Sequence, residues 1–213
     1  MASLNQQYTA ELLTSRLDHY KNSEAVVVAI PRRGVPVGYD IANMLHLDFD
    51  VLPCRKIRHP SDQEQSIGSV CIDDSYVGES CRNIPQDYVY HQIALIQHAL
   101  GAKNRFYGRT CDIDLNGRTV ILTDDVVKTG DTALACIKSI RKSKPKEIIL
   151  AVPVITATAI TLVVDKVDNI IFVTEMGGRQ MVEDLYREFP SVSDAQVRDV
   201  IARSRSKSMQ AIH

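Results

Sequence analysis

Two adjacent carboxylates, Asp124 and Asp125, stand just ahead of a small-residue turn, Lys128-Thr129-Gly130-Asp131-Thr132. An apolar run, Val120-Ile121-Leu122, precedes the acids, and Ala133, Leu134, Ala135, Cys136, Ile137 and Ile140 follow the turn at helical spacing. The first run suits a buried parallel strand. A strand, an acidic pair, a turn and a helix start can together hold a phosphorylated sugar. Backbone N–H groups at a helix N-terminus lack intrahelical partners and sit at the positive end of the dipole, so they suit a phosphate. Gly130 permits close backbone approach, and Thr129 and Thr132 add hydroxyl donors. Two carboxylates would repel that phosphate. They suit ribose hydroxyls, or a metal ion, at the other end of the same ligand.

Positive charge gathers elsewhere. Ala25 to Ile30, AVVVAI, is a second buried-strand run, and it leads into Pro31-Arg32-Arg33-Gly34-Val35-Pro36. Open α/β sheets place ligands at the C-terminal ends of their strands. Phe49 to Ile57 reads as the next strand, ending on Arg55 and Lys56, with Arg58 and His59 beyond. Such an electropositive wall beside a phosphate-binding helix start would stabilise a pyrophosphate leaving group.

The Asp124–Thr132 stretch resembles the motif that binds phosphoribosyl pyrophosphate (PRPP) in type I phosphoribosyltransferases: apolar residues, two acids, apolar residues, then T-G-x-T. The Pro31–Val37 turn, PRRGVPV, resembles their pyrophosphate loop. More narrowly, it is similar to the P-R-G-G-V-P-V loop of a bacterial and archaeal phosphoribosyltransferase family, with Arg33 in place of a glycine. That family also carries an R-K pair, a proline and E-x-A-I-G. Here these are Arg55-Lys56, Pro60 and Glu64-Gln65-Ser66-Ile67-Gly68, with Ser66 replacing alanine. Tyr186, Phe189-Pro190 and Ser193-Asp194 match its closing segment.

The resemblance implies a Rossmann-like α/β fold, with a parallel central sheet flanked by helices and a small hood from parts of 58–110, of 174–213, or of both. It implies transfer of the 5-phosphoribosyl group of PRPP to a nitrogen nucleophile, with release of pyrophosphate. Lys128, Thr129, Gly130, Asp131 and Thr132 would hold the 5-phosphate. Arg32, Arg33, Gly34, Arg55 and Lys56 would face the pyrophosphate, Lys56 acting in catalysis. Asp124 and Asp125 would serve the ribose hydroxyls, directly or through Mg²⁺, and so would be both catalytic and metal-binding. In 6-oxopurine enzymes an aspartate before the T-G contacts the base; Lys128 stands there instead, which counts against hypoxanthine or guanine. The pyrophosphate loop of such enzymes often contains a non-proline cis peptide bond. Homodimers are common among them.

Further helices are expected over 4–21, with Leu4, Tyr8, Leu12, Leu13 and Leu17 on one face, over 37–47 and over 87–105. Strands are expected over 147–154 and 168–174, with Thr156 capping a helix to about 166. A short helix near 181–189 and a closing helix after Ser193-Asp194 follow, with Val197, Val200 and Ile201 inward. The basic tail from Arg203 reads as frayed. Residues 58–66 are polar and expected to be mobile. His91 and His98 read as surface residues.

The 213 residues fit one α/β domain, and 25 basic against 26 acidic residues argue against broad nucleic-acid binding. Five cysteines without a C-x-x-C or zinc spacing, and no secretory signal, predict free thiols in the cytoplasm. Ile148 to Val164 carries no charge, but Pro153 and three threonines argue against a membrane span. No G-x-G-x-x-G or Walker motif appears. Two alternatives remain: a PRPP- or nucleotide-binding regulator without turnover, and a phosphosugar or nucleotide hydrolase on the same scaffold.

Overall fold

β-branched runs form the strands, and amphipathic segments between them form the covering helices. The computed structural model describes residues 6–108, 110–176 and 192–210. In chain order its elements are α1 (Gln6–Arg16), β1 (Val26–Ala29), α2 (Gly34–Leu45), β2 (Asp48–Val51), β3 (Cys54–Arg58), β4 (Ser66–Cys71), β5 (Ser75–Val77), α3 (Gln86–Phe106), β6 (Thr119–Thr123), β7 (Val126–Val127), α4 (Asp131–Lys142), β8 (Glu147–Thr156), α5 (Ala157–Val163), β9 (Asn169–Met176) and α6 (Asp194–Gln210). The expected helix at 181–189, with Tyr186 and Phe189-Pro190, lies outside the described residues.

Six strands make one parallel sheet. β1 lies between β2 and β6, β6 and β7 both pair with β8, and β9 pairs with β8 as well. Side chains alternate faces, so each strand feeds two cores. Val27, Ile121 and Ile149 point toward α1, α2 and α6, where Leu13, Ile41, Leu45, Val197 and Ile201 meet them. Val28, Leu122 and Leu150 point toward α4 and α5, against Leu134, Ile137 and Ala159. Pro153, which cannot donate to a ladder, falls between the segment of β8 paired with β6 and that paired with β7. Thr156 caps α5 by accepting from the Ala159 N–H at 3.1 Å. Among the described residues no helix is long and apolar enough to cross a membrane.

A second, antiparallel sheet, β3-β4-β5, packs with α3 around Ile57, Ile67, Val70, Val89, Ile96 and Leu100. This corrects the single strand expected over 49–57. The chain leaves the parallel sheet after Val51 and starts the second sheet at Cys54, with Pro53, unable to donate to a ladder, at the break.

Three helix expectations also change. Leu13 and Leu17 are buried as expected, but Tyr8 is 40% exposed while Thr9 and Ala10 turn inward in its place, and Leu4 lies outside the described residues. α2 begins at Gly34, three residues before the expected start. The basic tail is helical to Gln210. Arg205 donates to the Gly108 carbonyl at 2.6 Å, Lys207 donates to Asn43 at 3.0 Å, and Arg203 lies over the Tyr39 ring. These contacts hold a segment that composition alone would let fray. Ser193 caps α6 reciprocally: its hydroxyl accepts from the Gln196 N–H at 3.2 Å, and the Gln196 side chain accepts from the Ser193 N–H at 2.9 Å.

Candidate active site

The C-terminal ends of β1 and β6 meet the second sheet across a cavity of about 530 Å³. Asp124 and Asp125 leave β6 directly. Gly34, at the start of α2, fixes their position: a Cβ there would lie 2.7 Å from the Asp124 Cα and 3.0 Å from the Thr123 carbonyl. Only glycine lets the two backbones approach so closely. The contact brings the Arg33 guanidinium within 3.9 Å of Asp125. The Pro31–Arg32 peptide bond ahead of it is cis.

The turn after β7 is held from three sides. Gly130 caps α4 with φ +81°, the left-handed region that favours glycine. Thr156 at the end of β8 donates to the Lys128 carbonyl. The hydroxyls of Thr132 and Ser69, on β4, lie 3.0 Å apart and join the helix start to the second sheet. Thr129 donates to the Asp131 carboxylate at 3.1 Å.

Arg32, Arg33, Asp124, Asp125, Lys128, Thr129, Gly130 and Thr132 all line the cavity, and Arg55 and Lys56 reach it from β3. Two expected site residues do not line it. Gly34 acts through packing on Asp124, and the Asp131 side chain faces Thr129.

Sequence reasoning missed Lys103 and Cys54, which both line the cavity; of the two residues it placed beyond the Arg55-Lys56 pair in the electropositive wall, Arg58 lines the cavity and His59 does not. Lys103 is aimed from α3 by an ion pair with Asp194 of α6 at 3.1 Å, and Tyr107 donates to the same carboxylate at 2.6 Å. Burial works against the Asp194 charge, but these two partners hold its carboxyl below the usual range. Nothing local to Lys103 signals this, because the partner lies far along the chain.

Seven cationic side chains therefore line the cavity against two carboxylates, a balance that suits a polyanion. Burial, and then the charge of Asp125, push Asp124 well above the ordinary carboxylate range. The Asp125 Oδ2 atom is buried and accepts no hydrogen bond, although the Arg33 charge stands near it. Buried carboxylate oxygens normally have such partners, so Asp125 has capacity for a ligand. His91 and His98 are exposed on α3, and no group of three or more His, Cys, Asp or Glu among the described residues could alone hold a metal.

The family model of the phosphoribosyl transferase domain matches residues 4–177. A Mycobacterium tuberculosis protein, provisionally named a phosphoribosyl transferase, is 29% identical over 192 residues, covering 87% of this chain and 43% of its own length. The chain thus spans less than half the length of that relative. The crystal structure of TT1426 from Thermus thermophilus superposes with a TM-score of 0.77 at 24% identity, covering 94% of this chain and 98% of that one. That likeness shows the fold, and the match to the family model, over most of the chain, shows the membership: the protein belongs to the phosphoribosyl transferase domain family.

Proposed function

We propose that the protein transfers the 5-phosphoribosyl group of PRPP to a nitrogen nucleophile, releasing pyrophosphate. The observation that carries this reading is a single cavity lined by an acidic pair, a glycine-capped helix start and a cationic wall. A ribose phosphate alone needs the first two; the third is the feature that favours a pyrophosphate-bearing donor.

In this reading the Lys128–Thr132 turn binds the 5-phosphate through backbone N–H groups and the hydroxyls of Thr129 and Thr132. Asp124 and Asp125 face the ribose hydroxyls. Arg32, Arg33, Arg55 and Lys56 bind the pyrophosphate, and Lys103 and Arg58 extend that wall. The nucleophile's nitrogen forms its bond to C1 as the bond from C1 to the pyrophosphate oxygen breaks. Positive charge grows on the sugar and negative charge on the leaving group. The carboxylates favour the first and the cations the second.

The donor set fits Mg²⁺, a hard cation that is commonly held by one or two carboxylates together with substrate phosphates. Asp124 and Asp125 would hold it, the Asp125 Oδ2 atom having no hydrogen bond to lose. When bound, Mg²⁺ neutralises charge on phosphate oxygens. Lys128, where oxopurine enzymes of this type carry aspartate, favours an acceptor other than hypoxanthine or guanine.

Pyrophosphate release from PRPP and Mg²⁺ across purines, pyrimidines and small amines tests the proposal. Release that requires one acceptor is expected. Asp124→Asn or Asp125→Asn should cut it by about 10²-fold or more, the usual effect of losing one charge-stabilising group. Binding without release would instead indicate a regulator, and release without any acceptor a hydrolase.

A further inference from the structure

Three of the five cysteines converge behind the cationic wall. Cys54 opens β3 and stands in register with Cys71, the last residue of β4. Opposed residues of an antiparallel pair have Cα atoms about 4.5–5.5 Å apart, within the range a disulfide spans. Cys136, on α4, comes from the other core: its sulfur lies 3.4 Å from that of Cys71. Cys71 and Cys136 are fully buried, whereas Cys54 is half-buried and lines the cavity. Of the three, only Cys54 borders the cavity, and the other two sulfurs lie behind it.

The chemistry of the three is unequal. Hydrogen bonds from the Cys136 and Cys71 thiols, followed in effect by the charges of Lys103 and Lys56, hold the Cys54 thiol well below its usual range despite burial. Burial, the largest cause at Cys136, pushes that thiol up. Low-pKa, accessible thiols are the ones that oxidise, most readily with a second thiol at hand.

We propose that Cys54 is an oxidation site, oxidised by hydrogen peroxide that enters through the cavity, and that Cys136 resolves it to a disulfide. The Cys54 thiolate attacks one peroxide oxygen; the O–O bond breaks, leaving Cys54 sulfenic acid and hydroxide. The Cys136 sulfur then attacks the sulfenic sulfur, forming the S–S bond and expelling the hydroxyl, which leaves as water with the Cys136 proton. The sulfur is oxidised by two electrons and the peroxide reduced by two. The new bond ties β3, which carries Arg55 and Lys56, to α4, which starts beside Gly130. It joins two walls of the cavity across the gap between the sheets, and it stands independently of the ligand assigned to that cavity.

The test uses the reduced full-length protein, treated with hydrogen peroxide, blocked with N-ethylmaleimide and digested with trypsin. The expected product is the peptide 34–55, holding Cys54, linked to the peptide 129–138, holding Cys136; dithiothreitol should reverse it. In Cys136→Ser the link should vanish, and a dimedone adduct, which marks sulfenic acid, should accumulate on Cys54. Oxidation confined to Cys81 or Cys111, or Cys54 passing to sulfinic acid with no linked peptide in the unmutated protein, would overturn the proposal. A Cys54–Cys71 link in its place would overturn the assignment of Cys136. Each outcome is read from peptides and so does not depend on a variant retaining activity.

Discussion

Asp124 occupies surroundings that disfavour its own charge, which is a cost a binding site accepts and a core would not. Its raised folded-state pKa fixes a sign. Below the ordinary carboxylate range, folded and unfolded chains are both protonated and the group contributes nothing. As pH rises the unfolded chain ionises first, so stability falls until the folded carboxyl also ionises. Asp124→Asn should therefore raise the Tm at pH 8 by several degrees and match the unmutated protein near pH 3. That corresponds to about 1–3 kcal/mol for a poorly compensated buried group, at about 2–4 °C per kcal/mol for a chain this size. Gly34→Ala should act oppositely. Its Cβ meets backbone on two sides, and the strain should cost about 1–3 kcal/mol and weaken ligand binding with no charge removed; a thermal melt with and without PRPP reads both. The acids and the turn were legible in the sequence because they are contiguous in it. Lys103 was not, because its position depends on Asp194, which lies on another helix.

At the scale of elements, continuous apolar runs identified β1, β6 and β8 because both faces of those strands are buried. The same reasoning joined β2 to β3 wrongly. Apolar patterning continues across Pro53 while the chain passes from one sheet to another, and patterning records burial without recording in which sheet. The basic tail was misread for a related cause: charge suggested solvent, whereas Arg205 and Lys207 reach acceptors on other elements. α6 depends on its cap as well as on those contacts. Ser193→Ala should lower stability by about 0.5–2 kcal/mol, seen as a fall in the Tm. Because Asp194 of the same first turn aims Lys103 into the cavity, the loss should extend to weaker PRPP binding.

Across the whole molecule, two sheets contribute opposite walls of one cavity. The parallel sheet supplies the acids and the Lys128–Thr132 turn, and the second sheet with α3 supplies Arg55, Lys56, Arg58 and Lys103. This division explains how a chain with a net charge of −1 concentrates cations at one place. The family and the parallel sheet could be read from motifs; the acceptor could not, because no contiguous motif in the chain specifies one. The account rests on the cavity being a site for PRPP, and calorimetric titration of the protein with PRPP and Mg²⁺ tests this most directly. Saturable binding is expected, weakened at high salt by screening and lost when Gly130→Val blocks the turn where Leu162 already lies 3.0 Å from a Cβ. No heat of binding from a folded protein, or binding that Gly130→Val and Asp125→Asn leave unchanged, would contradict it.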